Sequence, residues 1–232
     1  MHSWLTGTRH LLALLLTVGT IQTAHSLDFS PRNQLMAKLS APMTSIVDGK
    51  PFREGLAGIA RQAQVNLWLD RMVDPTAAIS AGPAGPTVFA AIEQLAAHHD
   101  CAIMPVAGVL LVGRPTWVDR TAASVLSLGL SRTSKPVDVS WDDLSTPAEA
   151  LSRAAGLPAA VEVDPALPHD LWPASNWTQI DRRVAVTLIL AQFDRRPKSI
   201  KSLRSLQSVE ANSTGKFTCR YARSDADDAI RS

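Results

Sequence analysis

Pro51-Phe52-Arg53-Glu54-Gly55-Leu56-Ala57-Gly58-Ile59-Ala60-Arg61-Gln62-Ala63, followed at once by Val65-Asn66-Leu67-Trp68-Leu69-Asp70, is the stretch on which the fold turns. Phe52, Leu56, Ile59, Ala60 and Ala63 recur at helical spacing along one face, and Pro51 suits a helix start, where its missing N–H is not needed. A short amphipathic helix over about 51–63 is therefore predicted. Val65 to Asp70 then alternates apolar and mixed residues as a strand does.

Working outward, residues 27–40 are polar and weakly patterned, and a strand is expected at Met43-Thr44-Ser45-Ile46-Val47, turning at Asp48-Gly49-Lys50. The stretch from Asp74 to Pro86 is rich in Pro, Ala and Gly around a strand at Ala78-Ile79-Ser80. Thr87 can cap a second helix whose buried stripe is Val88, Ala91, Ile92, Leu95 and Ala96, ending at His98-His99-Asp100. Cys101-Ala102-Ile103-Met104 and Val109-Leu110-Leu111-Val112 read as a hairpin joined through Ala107-Gly108. A unit of about 70 residues has a marginal core unless another surface supports it.

The second half repeats much of this order. Val137-Asp138-Val139-Ser140-Trp141 alternates as a strand, Ser145 or Thr146 caps a helix from Pro147 with Leu151, Ala154 and Ala155 on its apolar face, and Gly156 ends it. Ala160-Val161-Glu162-Val163-Asp164 parallels Val65 to Asp70, each with an Asp-Pro pair close by. Pro168-His169-Asp170-Leu171-Trp172-Pro173 reads as an insertion. Val184 to Phe193 corresponds to the second helix, and its near-continuous apolarity implies deep burial. A last hairpin is expected between Leu203–Glu210 and Lys216–Tyr221. Between the halves, Val118, Ala122, Val125 and Leu126 lie at helical spacing. The expectation is an α+β protein of two tandem small modules, 42–113 and 137–221, each with two helices packed on short β-sheets in a βαββαββ-like order. Residues 114–136 would connect them, mostly as helix, and 222–232 would form a disordered tail.

The 232 residues are 46% hydrophobic and 19% charged, with a formal net charge of +2. Those values fit an ordinary globular protein rather than a disordered or collagen-like one. No run of 18 apolar residues exists, which excludes a polytopic membrane protein. From Arg195 onward nine Lys or Arg stand against four Asp or Glu, so the basic excess sits in the tail. Met1 to about Ser26 reads as a secretory signal peptide: Arg9 and His10 precede the apolar run Leu11 to Val18, and Ala24-His25-Ser26 supplies small residues for cleavage. Export to a periplasmic or secreted location follows, with no transmembrane segment after cleavage, and a nucleic-acid partner would contradict it. Outside the cytoplasm a disulfide can persist, and Cys101 and Cys219 are either paired or two small buried hydrophobes.

Residues 42–113 resemble the short N-terminal domain shared by bacterial secretins and TonB-dependent signalling receptors. The features that carry the resemblance are Phe52 to Ala63 as the first helix, Val65 to Asp70 as the strand after it, Val88 to His98 as the second helix, and the hairpin ending in Val109-Leu110-Leu111-Val112. The resemblance implies a small non-enzymatic α/β module that makes protein contacts. This chain departs from the family's pattern in having neither an outer-membrane barrel nor a secretin core after the module, and in carrying the module twice.

No catalytic set stands out. There is no Gly-x-Ser-x-Gly elbow, and Gly82-Pro83-Ala84-Gly85-Pro86 puts prolines where a phosphate loop needs N–H groups. Two cysteines and six histidines show no ligand spacing, so no metal or cofactor is expected. Adjacent His98 and His99 point in different directions, and a histidine at a helix C-terminus is favoured simply by the helix dipole. The most distinctive loop presents His169, Asp170, Leu171 and Trp172. With Trp177, and Trp141 enlarging the patch, these are candidate partner-binding residues, since Trp is enriched in interface hot spots. The function expected is an exported, non-enzymatic interaction or scaffolding component of the bacterial cell envelope, contacting an envelope protein. The alternatives are binding of a cell-wall polymer, or an envelope hydrolase using His169 and Asp170.

Overall fold

The computed structural model describes residues 31–44, 47–80, 85–130, 135–157, 163–164, 166–170, 172–197 and 217–221. The expected signal peptide, the 222–232 tail, Leu171 and the 203–210 strand lie outside the described residues. The chain is a mixed α+β protein with helices α1 (Pro31–Leu39), α2 (Phe52–Gln62), α3 (Val88–Ala97), α4 (Pro115–Leu126), α5 (Pro147–Ala155) and α6 (Arg182–Ala191). Its strands are β1 (Asn66–Leu69), β2 (Ala102–Val106), β3 (Val109–Gly113), β4 (Val137–Trp141), β5 (Val163–Asp164), β6 (Ser175–Ile180), β7 (Arg195–Pro197) and β8 (Phe217–Tyr221).

Three short sheets result. In the first, β3 lies between β1, to which it is parallel, and β2, to which it is antiparallel. β4 and β6 form an antiparallel pair, and β8 lies between β5, parallel, and β7, antiparallel.

β3 explains how the halves hold together. All five of its residues are buried. Leu110 and Val112 face a core built with Phe52, Leu56 and Ile59 of α2 and Ile92 and Leu95 of α3. Val109 and Leu111 face a second core shared with Trp117 and Val118 of α4, Leu151 of α5 and Val184 to Leu190 of α6. A strand covered on both faces reads as a continuous apolar run, as Val109 to Val112 does. The surface that supports the marginal first unit is therefore the second half of the chain, with α4 wedged between them rather than acting as a spacer. Within α4, Trp117 is buried while Leu126, expected on the apolar face, is exposed.

Several elements depart from expectation. Residues 31–39 are helical, because Leu35 and Leu39, four apart, drop into the first core. Residues 45–46 of the strand expected at 43–47 lie outside the described residues, and beside it Pro42 bridges to Thr87; the strand expected at 78–80 is represented by the bridge from Pro51 to Ala78. After the expected insertion at 168–173, β6 appears where no strand was expected. Gln179 takes a left-handed φ of 52°, and three β6 residues span what two of β4 span, so Trp177 and Ile180 both face inward at a spacing that period-two patterning misses. Among the described residues the strand antiparallel to β8 is Arg195–Pro197, which was not expected from the sequence. Its composition, Arg-Arg-Pro, carries no strand pattern.

Helix ends follow ordinary chemistry. Thr87 accepts from the Ala90 N–H, and Thr146 with Glu149 forms a capping box. Gly156 closes α5 with φ 73°, where an added Cβ would also collide with the Arg182 guanidinium.

Candidate binding cleft at the junction of the two halves

Two side-chain amides stitch the halves along β1. The Asn66 Nδ2 donates to the Thr178 carbonyl at 2.8 Å while its Oδ1 accepts from the Thr178 N–H at 2.9 Å. Gln192, just past α6, donates from Nε2 to the Leu69 carbonyl at 3.0 Å and accepts at Oε1 from the Arg71 N–H at 2.7 Å. Each amide thus supplies the donor and acceptor that another strand would supply. Trp68 and Trp117 add a second tie, donating from Nε1 to the Leu188 and Ala191 carbonyls in the last turn of α6. Those carbonyls lack intrahelical partners by position, so the indoles cap the helix.

Around Trp68 the aromatic rings gather: Trp177 at 4.7 Å, Trp141 at 6.0 Å and Trp172 at 6.0 Å between centroids, with Trp172 also stacked on Phe193 at 5.2 Å. The first two contacts are edge-to-face, a favoured arrangement of ring quadrupoles. The Nε1 atoms of Trp172 and Trp177 are buried with no hydrogen-bond partner among the described residues.

Beside this cluster lies a cleft of about 1390 Å³. One wall is α2 and β1, the other the end of β4, the start of β6 and the chain at 172–174. Its lining cations are Lys38, Lys50, Arg53, Arg61, Arg71 and Arg153, against the two carboxylates Glu54 and Asp142. The ion pairs between described residues, Arg114–Asp70, Arg120–Asp194 and Arg183–Asp181, use none of those cations. Lys38 donates to the Gln64 carbonyl and Arg71 sits 4.8 Å over the Phe193 ring, contacts that leave the positive charges uncompensated. Arg53 is half-buried, and burial depresses its affinity for the proton. A guanidinium drawn from water without a counterion is costly, and such unpaired charges concentrate at binding sites.

The residues singled out from the sequence fall differently. His169 and Asp170 are exposed on the approach to Trp172 and do not line the cleft. Trp172 contributes to the cleft wall yet is only 7% exposed, and Trp177 at 1% is interior. The expected exposed tryptophan patch is therefore a buried core cluster, since large rings at the junction gain more from mutual packing than from water. Leu171 lies outside the described residues. His98 is exposed at the end of α3, and the His99 ring packs 4.1 Å from Phe52. Among the described residues no group of three or more His, Cys, Asp or Glu is placed to hold a metal ion. Cys101 is a free thiol, half-buried, pushed up to about 11 first by burial and then by the charges of Asp70 and Asp100.

Sequence reasoning missed the cleft cations. Arg53, Ala57 and Arg61 form an i, i+4, i+8 stripe on α2, and the small Ala57 between two arginines was the available signal. By sequence alone that stripe is indistinguishable from a solvated helix face. No protein-family model, curated protein or solved structure matches the chain.

Proposed function

We propose that this chain is an exported, non-enzymatic interaction component of the bacterial cell envelope, two modules of the secretin and TonB-receptor N-terminal type fused in tandem, whose contact site is the cleft between them. The single observation carrying the binding role is the cleft itself, wide, lined by six cations against two carboxylates and set on a junction fixed by paired amide hydrogen bonds. Support for duplication comes from element order: helix, edge strand, helix and an antiparallel strand pair run through α2-β1-α3-β2-β3 and again through α5-β5-α6-β7-β8, with β6 added between β5 and α6 in the second half. In both sheets the last strand is central, parallel to one neighbour and antiparallel to the other. Export rests on the Met1–Ser26 segment of the sequence. Among the described residues no helix is long and apolar enough to cross a membrane. The hydrolase alternative places neither His169 nor Asp170 in the cleft.

Photo-crosslinking in its own cells tests the proposal. A photoreactive residue at Asn176, on the cleft rim, is expected to trap one envelope protein in stoichiometric amount, and the same residue at Glu93 on α3 is not. No adduct from Asn176 in a folded, exported chain would overturn it, and so would equal yields from both positions.

A further inference from the structure

We propose that the cleft takes an acidic peptide segment of a partner protein in extended form, an inference that rests on the cleft being the contact site. Its volume of about 1390 Å³ exceeds the ~300–1,000 Å³ of ordinary small-molecule sites. A single small anion would engage one or two of the cations, whereas Arg53 and Arg61 lie on α2, Arg71 beyond β1 and Arg153 across the cleft on α5. Charges spread over both walls match a ligand that carries several anions along its length.

The main chain of β1 selects a peptide. β1 is an edge strand. The Asp70 N–H donates to Val112 on the β3 side, so by the alternation of a parallel ladder the backbone groups of Leu67 and Leu69 point away from β3. The Leu69 carbonyl is occupied by Gln192. Leu67, which lines the cleft, leaves its N–H and C=O directed outward between the Asn66 and Gln192 stitches, where an extended peptide amide would complete them. Arginine forks then meet the carboxylates, and their desolvation inside the cleft strengthens each contact.

The test is fluorescence anisotropy of the purified full chain with a labelled ten-residue peptide alternating Glu and Thr, against the same peptide with Gln for Glu. The acidic peptide is expected to bind and the Gln peptide not. Raising salt from 0.05 to 0.5 M is expected to weaken binding by on the order of tenfold. A triple variant, Arg53→Gln with Arg61→Gln and Arg71→Gln, is expected to weaken it at least about tenfold. Arg32→Gln, outside the cleft, is expected to leave it unchanged. Circular dichroism and a urea midpoint establish that the triple variant is folded, and Arg153→Gln alone provides an independent variant on the opposite wall. Equal binding of both peptides, or no loss in either cleft variant, overturns the proposal. So does capture of polyphosphate through these arginines without capture of the peptide, an outcome that would leave the cleft as a contact site and assign it to an anionic polymer. Failure of the Asn176 crosslink with peptide binding intact would remove the envelope-partner role and leave the peptide chemistry standing.

Discussion

Gln192→Leu removes one of the two amide stitches while nearly preserving side-chain volume. Gln192 is 5% exposed and Leu69 6%, so the Leu69 carbonyl loses its Nε2 donor in a place water does not reach. A buried acceptor left unpaired costs about 1–3 kcal/mol. Arg71 is an exposed residue whose N–H can rehydrate, so losing its bond to Oε1 costs only about 0.5–1.5 kcal/mol. Burial of the added methyl surface offsets up to about 1 kcal/mol. The net expectation is a loss of about 2 kcal/mol. With a urea slope of roughly 2 kcal/mol/M the midpoint falls by about 1 M. Tryptophan fluorescence follows the junction directly, because Trp68, Trp117, Trp141, Trp172 and Trp177 all belong to the shared core. Hydrogen exchange at the Arg71 amide is expected to accelerate well before global unfolding. A midpoint within about 0.2 M of the wild type, with Arg71 exchange unchanged, would refute the stitched-junction account.

Trp177→Ala empties a site between Trp68 and Trp141, whose centroids lie 4.7 and 5.1 Å away, and a loss of about 3–5 kcal/mol in denaturant unfolding is expected. A loss below about 1 kcal/mol would mean that the ring cluster is not packed as described. The Glu149 carboxyl is held below the ordinary carboxylate range first by the Thr146 N–H and then by the Thr146 hydroxyl. Its contribution is thus present above about pH 4.3 and fades as pH falls through the lowered folded value. Melting temperatures of Glu149→Gln and wild type are expected to differ at pH 7 and to draw together as the pH falls through the lowered folded value, and a gap that stays constant over the whole acid range would contradict the capping box. Cys101, with its thiol up to about 11, is expected to alkylate about a hundredfold more slowly at pH 8 than an unstructured peptide thiol, read site by site by mass spectrometry. Alkylation at the peptide rate would show that it is neither buried nor shielded.

Legibility in the sequence followed how cleanly a residue's role was written into periodicity. α2, α3 and α5 were readable because each presents one apolar stripe and an end signal, as Thr87 and Gly156 do. β3 was readable because burial on both faces leaves nothing but apolar residues at Val109 to Val112. β6 was not, since the bulge at Gln179 shifts Trp177 and Ile180 onto one face against the pleat. β7 was not, since Arg195-Arg196-Pro197 is specified by the strand it meets and by nothing local. Helix α1 hid behind a polar composition in which Leu35 and Leu39 alone turn inward. Of the candidate residues, Trp172 and Trp177 pack into the core shared by the two halves: a tryptophan at such a junction and one at a docking face look alike in sequence.

The cleft follows from how the junction is built. The second half covers the face of the first sheet that carries Trp68, Val109 and Leu111, while the edge of β1 is spanned only by side chains, Asn66 and Gln192, rather than by another strand. Side-chain stitches hold the walls apart where a strand would have closed them, so Leu67 remains open to the cleft and α2 looks across it toward the ends of β4 and β6. Like charges on such walls repel, and the fold would be easier to stabilise with Arg53 and Arg61 neutral. Local features that work against stability without a compensating contact are the ones expected to serve binding. Arg53 is the clearest instance, half-buried in the rim of the cleft with no carboxylate to meet it among the described residues, and an acidic ligand supplies what the chain itself withholds.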